Sequence, residues 1–131
     1  MNRRIINPWR WQDKYGFVQA NEVANSQRTL YCAGITSVDT EGNAMYKGDM
    51  RGQVAQALDN IEILLEQAGF GFSDIMRLNI YTTDMVELMK IHDYITARLG
   101  EAGCRHAGTL LGISSLASPD LMVEIEVTAA A

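Results

Sequence analysis

The sequence predicts an α+β fold, a mixed sheet with two helices on one face, and three observations predict it. Two segments carry apolar residues at three- and four-residue steps. Six short segments are rich in β-branched and alternating residues. Along the chain these occur as β-β-β-α-β-α-β-β. At 131 residues the whole chain, 1–131, reads as a single domain. That length buries about two-thirds of the unfolded chain's surface.

The elements follow in order. Arg3–Ile6, Phe17–Val23 and Thr29–Ile35 read as strands, with Asn25-Ser26-Gln27 as the turn before the third. From Asp49 to Ala68, the residues Val54, Leu58, Ile61 and Leu65 form one apolar stripe, and Gly69 is a suitable stop. Ile75–Tyr81 alternates, with Met76, Leu78 and Ile80 on one face and Arg77, Asn79 and Tyr81 on the other. A second helix is expected from about Met85 to Leu99, carrying Leu88, Ile91, Ile95 and Leu99 on one stripe. Asp84 and Glu87 have capping-box spacing at its start, and Gly100 is expected to end it. Thr109–Ile113 and Leu121–Thr128 complete the sheet. In the last strand Leu121, Val123, Ile125 and Val127 oppose Met122, Glu124, Glu126 and Thr128.

Two helices cover only one face of such a sheet. The other presents Tyr81 and Met122 beside Arg77, Asn79 and Glu124, a mixture suited to burial against another copy of the chain. The plain alternative is a wetted face, as antiparallel sheets commonly have.

Composition removes several classes of function. Apolar residues make up 47% and charged residues 21%, so the chain is globular rather than disordered. A formal net charge of −5 repels phosphate backbones, and Arg3-Arg4 is the only adjacent basic pair, so nucleic acid is not an expected partner. No apolar run reaches the ~20 residues of a membrane helix, and Ile-Ile-Asn-Pro after Arg4 is no secretory core. A cytoplasmic location is the expectation. There is no GxxxxGK[ST], GxGxxG or HExxH, and neither His92 nor His106 has metal-ligand spacing, so no cofactor or metal is expected. His92 reads as a packing histidine beside an apolar stripe, His106 as a loop histidine open to solvent or ligand. Cys32 and Cys104 read as isolated thiols.

The carboxylates carry more chemistry. Glu124 and Glu126 share one sheet face, about 7 Å apart at strand rise. Either is a solvated surface charge or, half-buried at an interface, a group that holds or deprotonates water.

The segments Tyr15-Gly16-Phe17-Val18-Gln19-Ala20, Leu30-Tyr31-Cys32-Ala33-Gly34, Gln53-Val54-Ala55-Gln56-Ala57-Leu58-Asp59-Asn60-Ile61, Ala68-Gly69, Asp74-Ile75 and Val123-Glu124-Ile125-Glu126 resemble, in order and interval, those of the RidA/YjgF family. The resemblance runs from about Asn7 to the end. It implies a chorismate-mutase-like fold, a homotrimer with ligand clefts between subunits, and hydrolysis of small enamines and imines to keto acids and ammonia. It implies that Glu124 positions the attacking water as the catalytic residue and that Phe17, where tyrosine is usual, lines the cleft. Gly34 would be the turn whose backbone approaches the ligand, although a left-handed φ would explain that glycine equally.

One departure stands out. The family arginine that grips the substrate carboxylate aligns with Gly108, followed by Thr109 and Leu110. Losing a charged bidentate pair removes about 1.5–3 kcal/mol or more of binding. The substrate is therefore expected to differ from 2-aminoacrylate. Arg77 could replace the lost cation, or else pair with Glu124 or Glu126 across an interface, or the ligand could be uncharged. The second functional class is a non-catalytic trimer that binds a metabolite or a protein. The endoribonuclease role often attached to the family fits poorly with an acidic chain.

Overall fold

A computed structural model describes residues 1–131. Two strands, β1 (Asn2–Ile6) and β2 (Ala20–Ala24), form an antiparallel ribbon. The main sheet contains β3 (Thr29–Tyr31), β4 (Ile35–Thr36), β5 (Ile75–Thr82), β6 (Leu110–Gly112) and β7 (Val123–Ala130). Its helices are α1 (Met50–Gln67), α2 (Met85–Lys90) and α3 (His92–Glu101).

At the centre, β5 and β7 run antiparallel, with Leu78 opposite Val127 and Ile80 opposite Ile125. β6 joins the free edge of β5 in parallel, while β3 and β4 both pair with the far edge of β7. The sheet is therefore mixed, as expected. Alternation sends Leu78, Ile80, Val123, Ile125 and Val127 to one face, where they meet Val54, Leu58, Ile61 and Leu65 of α1. Leu88, Ile95 and Leu99 extend the same core from α2 and α3. Each of these fully buried aliphatic side chains contributes about 1.5–3 kcal/mol.

The largest departures from the expected boundaries are four. The second strand begins at Ala20, leaving Phe17 in the preceding loop. The third expected strand is two, because Cys32-Ala33-Gly34 interrupts pairing with β7. The expected second helix breaks at Ile91, which leaves helical geometry at φ −114 and ψ 11. Its two pieces keep Leu88, Ile95 and Leu99 on one buried stripe, so the periodicity reads straight through the break. Gly100 does not end α3; the chain turns at Gly103, whose φ of +74 is the left-handed geometry a glycine tolerates. At α1 the reading holds: Asp49 caps Gly52 N–H at 2.9 Å, and Gly69 follows with φ +78. Asp84 likewise accepts from Glu87 N–H at 3.1 Å, although the Glu87 carboxylate turns to Lys90.

Candidate functional site

Between the helix-covered face of β5, the start of α3 and the loop before β2 lies a cavity of about 290 Å³. The loop is fastened over it. Gln12, fully buried, donates to Trp9 O at 2.8 Å and accepts from Gln19 Nε2 at 3.1 Å. A single 3₁₀ turn at Asp13–Tyr15 ends at Gly16, and the Tyr15 carbonyl accepts from Thr96 Oγ1 of α3 at 3.2 Å. Val18 N–H donates to His106 O at 2.9 Å. Trp11 and Phe17 pack edge to face, 5.8 Å between centroids. Leu78, Ile80 and Ile95 make the floor, while Trp11 and Met89 are 58% and 45% exposed, so the cavity opens between them.

Two histidines line it. His92, first residue of α3, sets Nδ1 3.3 Å from Thr96 Oγ1 and stacks edge-on against Tyr15 at 5.8 Å. Burial pushes its pKa below the usual histidine value. His106 is more deeply placed, and burial pushes its pKa down to about 4. Its Nδ1 stands 3.7 Å from Cys104 Sγ. Burial in turn raises the Cys104 thiol to about 12, which leaves it protonated and without nucleophilic character near neutral pH.

Gly108 and Thr109 form the cavity edge next to β6. The backbone at Gly108 runs so close to β5 that a Cβ there would stand 1.7 Å from Leu78 O. This backbone excludes an arginine, or any other side chain, at the position. Thr109 N–H donates to Asn79 Oδ1 at 3.0 Å, and Asn79 Nδ2 donates to Glu126 Oε1 at 3.0 Å. The Tyr81 hydroxyl donates to the same oxygen. These two donors, the tyrosine first, hold the Glu126 carboxyl below its ordinary value, and the partnership raises the Tyr81 hydroxyl.

The remaining residues singled out in the sequence lie on the opposite, open face of the sheet. Glu124 faces Tyr81 and Thr36 across the register, but its carboxylate takes part in none of the chain's side-chain hydrogen bonds or ion pairs. No buried side-chain oxygen in the chain lacks a partner, so the Glu124 carboxylate stays reachable from outside. Gly34 packs directly on it: a Cβ at 34 would lie 2.7 Å from Glu124 Cδ. Its φ is not left-handed, so close approach, rather than backbone conformation, is why glycine stands there. Arg77 is exposed, opposite Thr128 and beside Tyr31, and forms no ion pair within the chain. Four residues along β5 separate it from the position facing Glu124, about 13 Å at strand rise.

The structure thus brings Phe17, Gly108 and Thr109 together at one cavity, and Gly34 and Glu124 together on the other face of the same sheet. Arg77 stands apart from both. The sequence reading missed His92 as a cavity wall, because an apolar helical stripe hides which of its neighbours has nothing packed above it. It also missed the Asn79–Tyr81–Glu126 cluster, whose signal was present in the shared face of β5 and β7. No three His, Cys, Asp or Glu side chains converge closely enough to hold a metal ion. No helix is long and apolar enough to cross a membrane.

Comparison with known proteins extends these observations. The profile of the family described as endoribonuclease L-PSP matches residues 14–131. A RutC family protein of Pyrococcus horikoshii is 31% identical over 100 residues, covering 76% of this chain and 77% of its own. A protein of Dermatophagoides farinae named 2-iminobutanoate/2-iminopropanoate deaminase is 29% identical over 92 residues, 70% of each chain. Among solved structures, a Rid-family protein of unknown function from Yersinia pestis superposes with a TM-score of 0.87 at 33% identity, covering 100% of both chains.

Proposed function

This chain belongs to the endoribonuclease L-PSP family, the RidA/YjgF proteins, and from that premise we propose that it is a cytoplasmic, homotrimeric hydrolase of small imines or enamines. Its cleft forms where the open face of one copy meets the cavity of the next. Glu124 of one copy supplies the base, and Phe17, Gly108 and Thr109 of its neighbour line the pocket. The observation that carries this reading is the contrast between two carboxylates on one face. Glu126 is occupied by Tyr81 and Asn79, whereas Glu124 is partnerless and pressed against the Gly34 backbone.

In the reaction, Glu124 orients a water and takes its proton as the water oxygen bonds to the imine carbon. The π pair of the C=N bond moves to nitrogen and gives a carbinolamine. Glu124 returns that proton to the nitrogen, completing the neutral amino alcohol, then takes the hydroxyl proton as the carbonyl forms and delivers it to the nitrogen, so the C–N bond breaks with neutral ammonia leaving. One imine and one water yield one carbonyl compound and one ammonia. General acid–base catalysis of this kind is worth about 10²–10⁴-fold.

Arg77, about 13 Å along the sheet from Glu124, serves the same small ligand only if it is contributed by a different copy. The missing cation at Gly108 favours one other reading, a trimer that binds a ligand without turning it over. Ammonia release from imines generated in place by an amino-acid oxidase decides between them. Glu124→Gln trimers should bind but lose release about a hundredfold or more. A cleft shared between copies makes a second demand. Glu124→Gln chains co-refolded with equal His92→Trp chains, which block the cavity, should regain about a quarter of wild-type release, the fraction of clefts with both halves intact. Release unaffected by Glu124→Gln removes the catalytic role, and no release from any imine leaves the binding reading.

A further inference from the structure

We propose, building on the hydrolase reading of the same cavity, that its ligand is uncharged and ring-sized and pairs an N–H donor with a nearby carbonyl-type acceptor. An imino acid held by its carboxylate is not what these walls fit. Volume sets the scale: about 290 Å³ is roughly twice the ~150 Å³ cavity that accepts benzene. One ring with a short substituent fills it. The walls are mainly aromatic and aliphatic; beside the two imidazoles the groups able to hydrogen-bond belong to Trp11, Tyr15 and Thr109, all neutral, and no Arg or Lys lines the space.

The protons on those imidazoles follow from their neighbours. Thr96 has a single hydroxyl proton and donates it to Tyr15 O at 3.2 Å. Its 3.3 Å contact with His92 Nδ1 then requires Nδ1–H to be the donor, which leaves Nε2 of the neutral ring as a bare acceptor. Cys104 keeps its thiol proton and faces His106 Nδ1 at 3.7 Å. With the thiol proton directed to Nδ1, His106 carries its own proton on Nε2, where it is a donor. Neither Nε2 has a partner in the chain, yet no buried side-chain nitrogen is unpartnered. Both atoms are therefore open to a visitor, and the cavity is the space that both rings line.

An acceptor at His92 among neutral donors in a mainly apolar enclosure matches an amide-like or enaminone-like N–H/C=O pair. A carboxylate would find neutral donors but no cation in these walls, and burying a charge without an opposite one is costly.

Benzamide, benzoate and toluene are probes of nearly one shape that separate these cases, titrated calorimetrically into the assembled wild-type protein at pH 7. Benzamide should bind, with benzoate and toluene each weaker by about tenfold or more. His92→Leu should cost benzamide about tenfold while leaving toluene unchanged. The wild-type ranking of probes stands as a test even if that variant fails to fold. Benzoate binding as well as benzamide, or no binding of any probe, overturns the proposal. Selective benzamide binding in a protein that hydrolyses no imine keeps this ligand class and removes only the hydrolase reading, while imine turnover with a preference for benzoate does the reverse.

Discussion

Replacing Gly108 by alanine tests how tightly the cavity edge is built. The added Cβ would sit 1.7 Å from Leu78 O, where real contacts stay above 3.0 Å, so the strand must move by more than an ångström. Three backbone hydrogen bonds flank the position: Leu78 N–H to Ala107 O at 2.9 Å, Ile80 N–H to Thr109 O at 2.9 Å and Ala107 N–H to Met76 O at 3.0 Å. Losing or stretching these at about 1 kcal/mol each costs about 3 kcal/mol. Stiffening of the unfolded chain returns about 0.4–1 kcal/mol. The net loss of about 2 kcal/mol lowers Tm by roughly 6–10 °C for a chain of this size. Differential scanning fluorimetry at one fixed protein concentration reads this, since assembly makes Tm concentration-dependent. Gly112→Ala is the control, because its Cβ would meet only Met85 Cε at 3.8 Å, an ordinary contact. A Gly108→Ala melting point within about 2 °C of wild type would refute the argument. The same geometry predicts that Gly108→Arg does not rebuild a carboxylate grip; it should melt at least as low and gain no affinity for benzoate.

Three further outcomes follow from the charge and burial pattern. His106 titrates near 4 when folded against about 6.5 unfolded, so below pH 6.5 the unfolded state binds a proton that the folded state refuses. Stability should fall between pH 6.5 and 4 by up to about 3 kcal/mol, with His92 adding in the same direction, and denaturant midpoints of wild type and His106→Leu across that window should diverge. Tyr81→Phe removes the principal donor to Glu126. Its carboxyl should titrate higher by carbon-detected NMR, while ammonia release falls far less than in Glu124→Gln; an unmoved Glu126 would mean the tyrosine bond is not made in solution. Tyr31 is 81% exposed, so Tyr31→Glu costs the single chain almost nothing; if the proposed trimer covers this face, the variant should sediment as one chain where the wild type sediments as three, and an unchanged sedimentation would refute that coverage.

The fold was legible where one physical rule dominated. Alternation placed Leu78, Ile80, Val123, Ile125 and Val127 on the buried face without error, because a strand's period of two admits no intermediate answer. The helix break at Ile91 left no trace, since α2 and α3 bury the same stripe before and after it. Gly34 shows the limit more sharply. A glycine can mean a left-handed turn or a close neighbour, and only the position of Glu124 across the register separates the two. The cavity was invisible for a related reason. Trp11, Tyr15, Phe17, His92 and His106 come from three separate stretches, and nothing in their spacing says that loop, helix and strand edge converge around unfilled space.

The two halves of the proposed site sit back to back on one sheet, and this division would give the proposed assembly a chemical purpose. A carboxylate can turn a water only if it is neither spent on protein donors nor immersed in bulk solvent. Glu126 fails the first condition because Tyr81 and Asn79 take one of its oxygens. Glu124 meets the first, but in an isolated chain it fails the second, since its face of the sheet is open. The cavity has the complementary deficiency. Its walls hold a ligand-sized space but carry no carboxylate, so in an isolated chain the water-turning group of the proposed reaction is absent from it. Seating one copy's open face over the next copy's cavity remedies both at once: Glu124 loses bulk water and the cavity gains a carboxylate. The same step restricts the ligand. With Gly108 backbone-locked against Leu78 and no cation within the walls, a negative charge arriving with the ligand would face the Glu124 carboxylate, and two negative groups in one cleft repel. On the proposed reading, an uncharged imine or enamine suits this arrangement better than an anionic one.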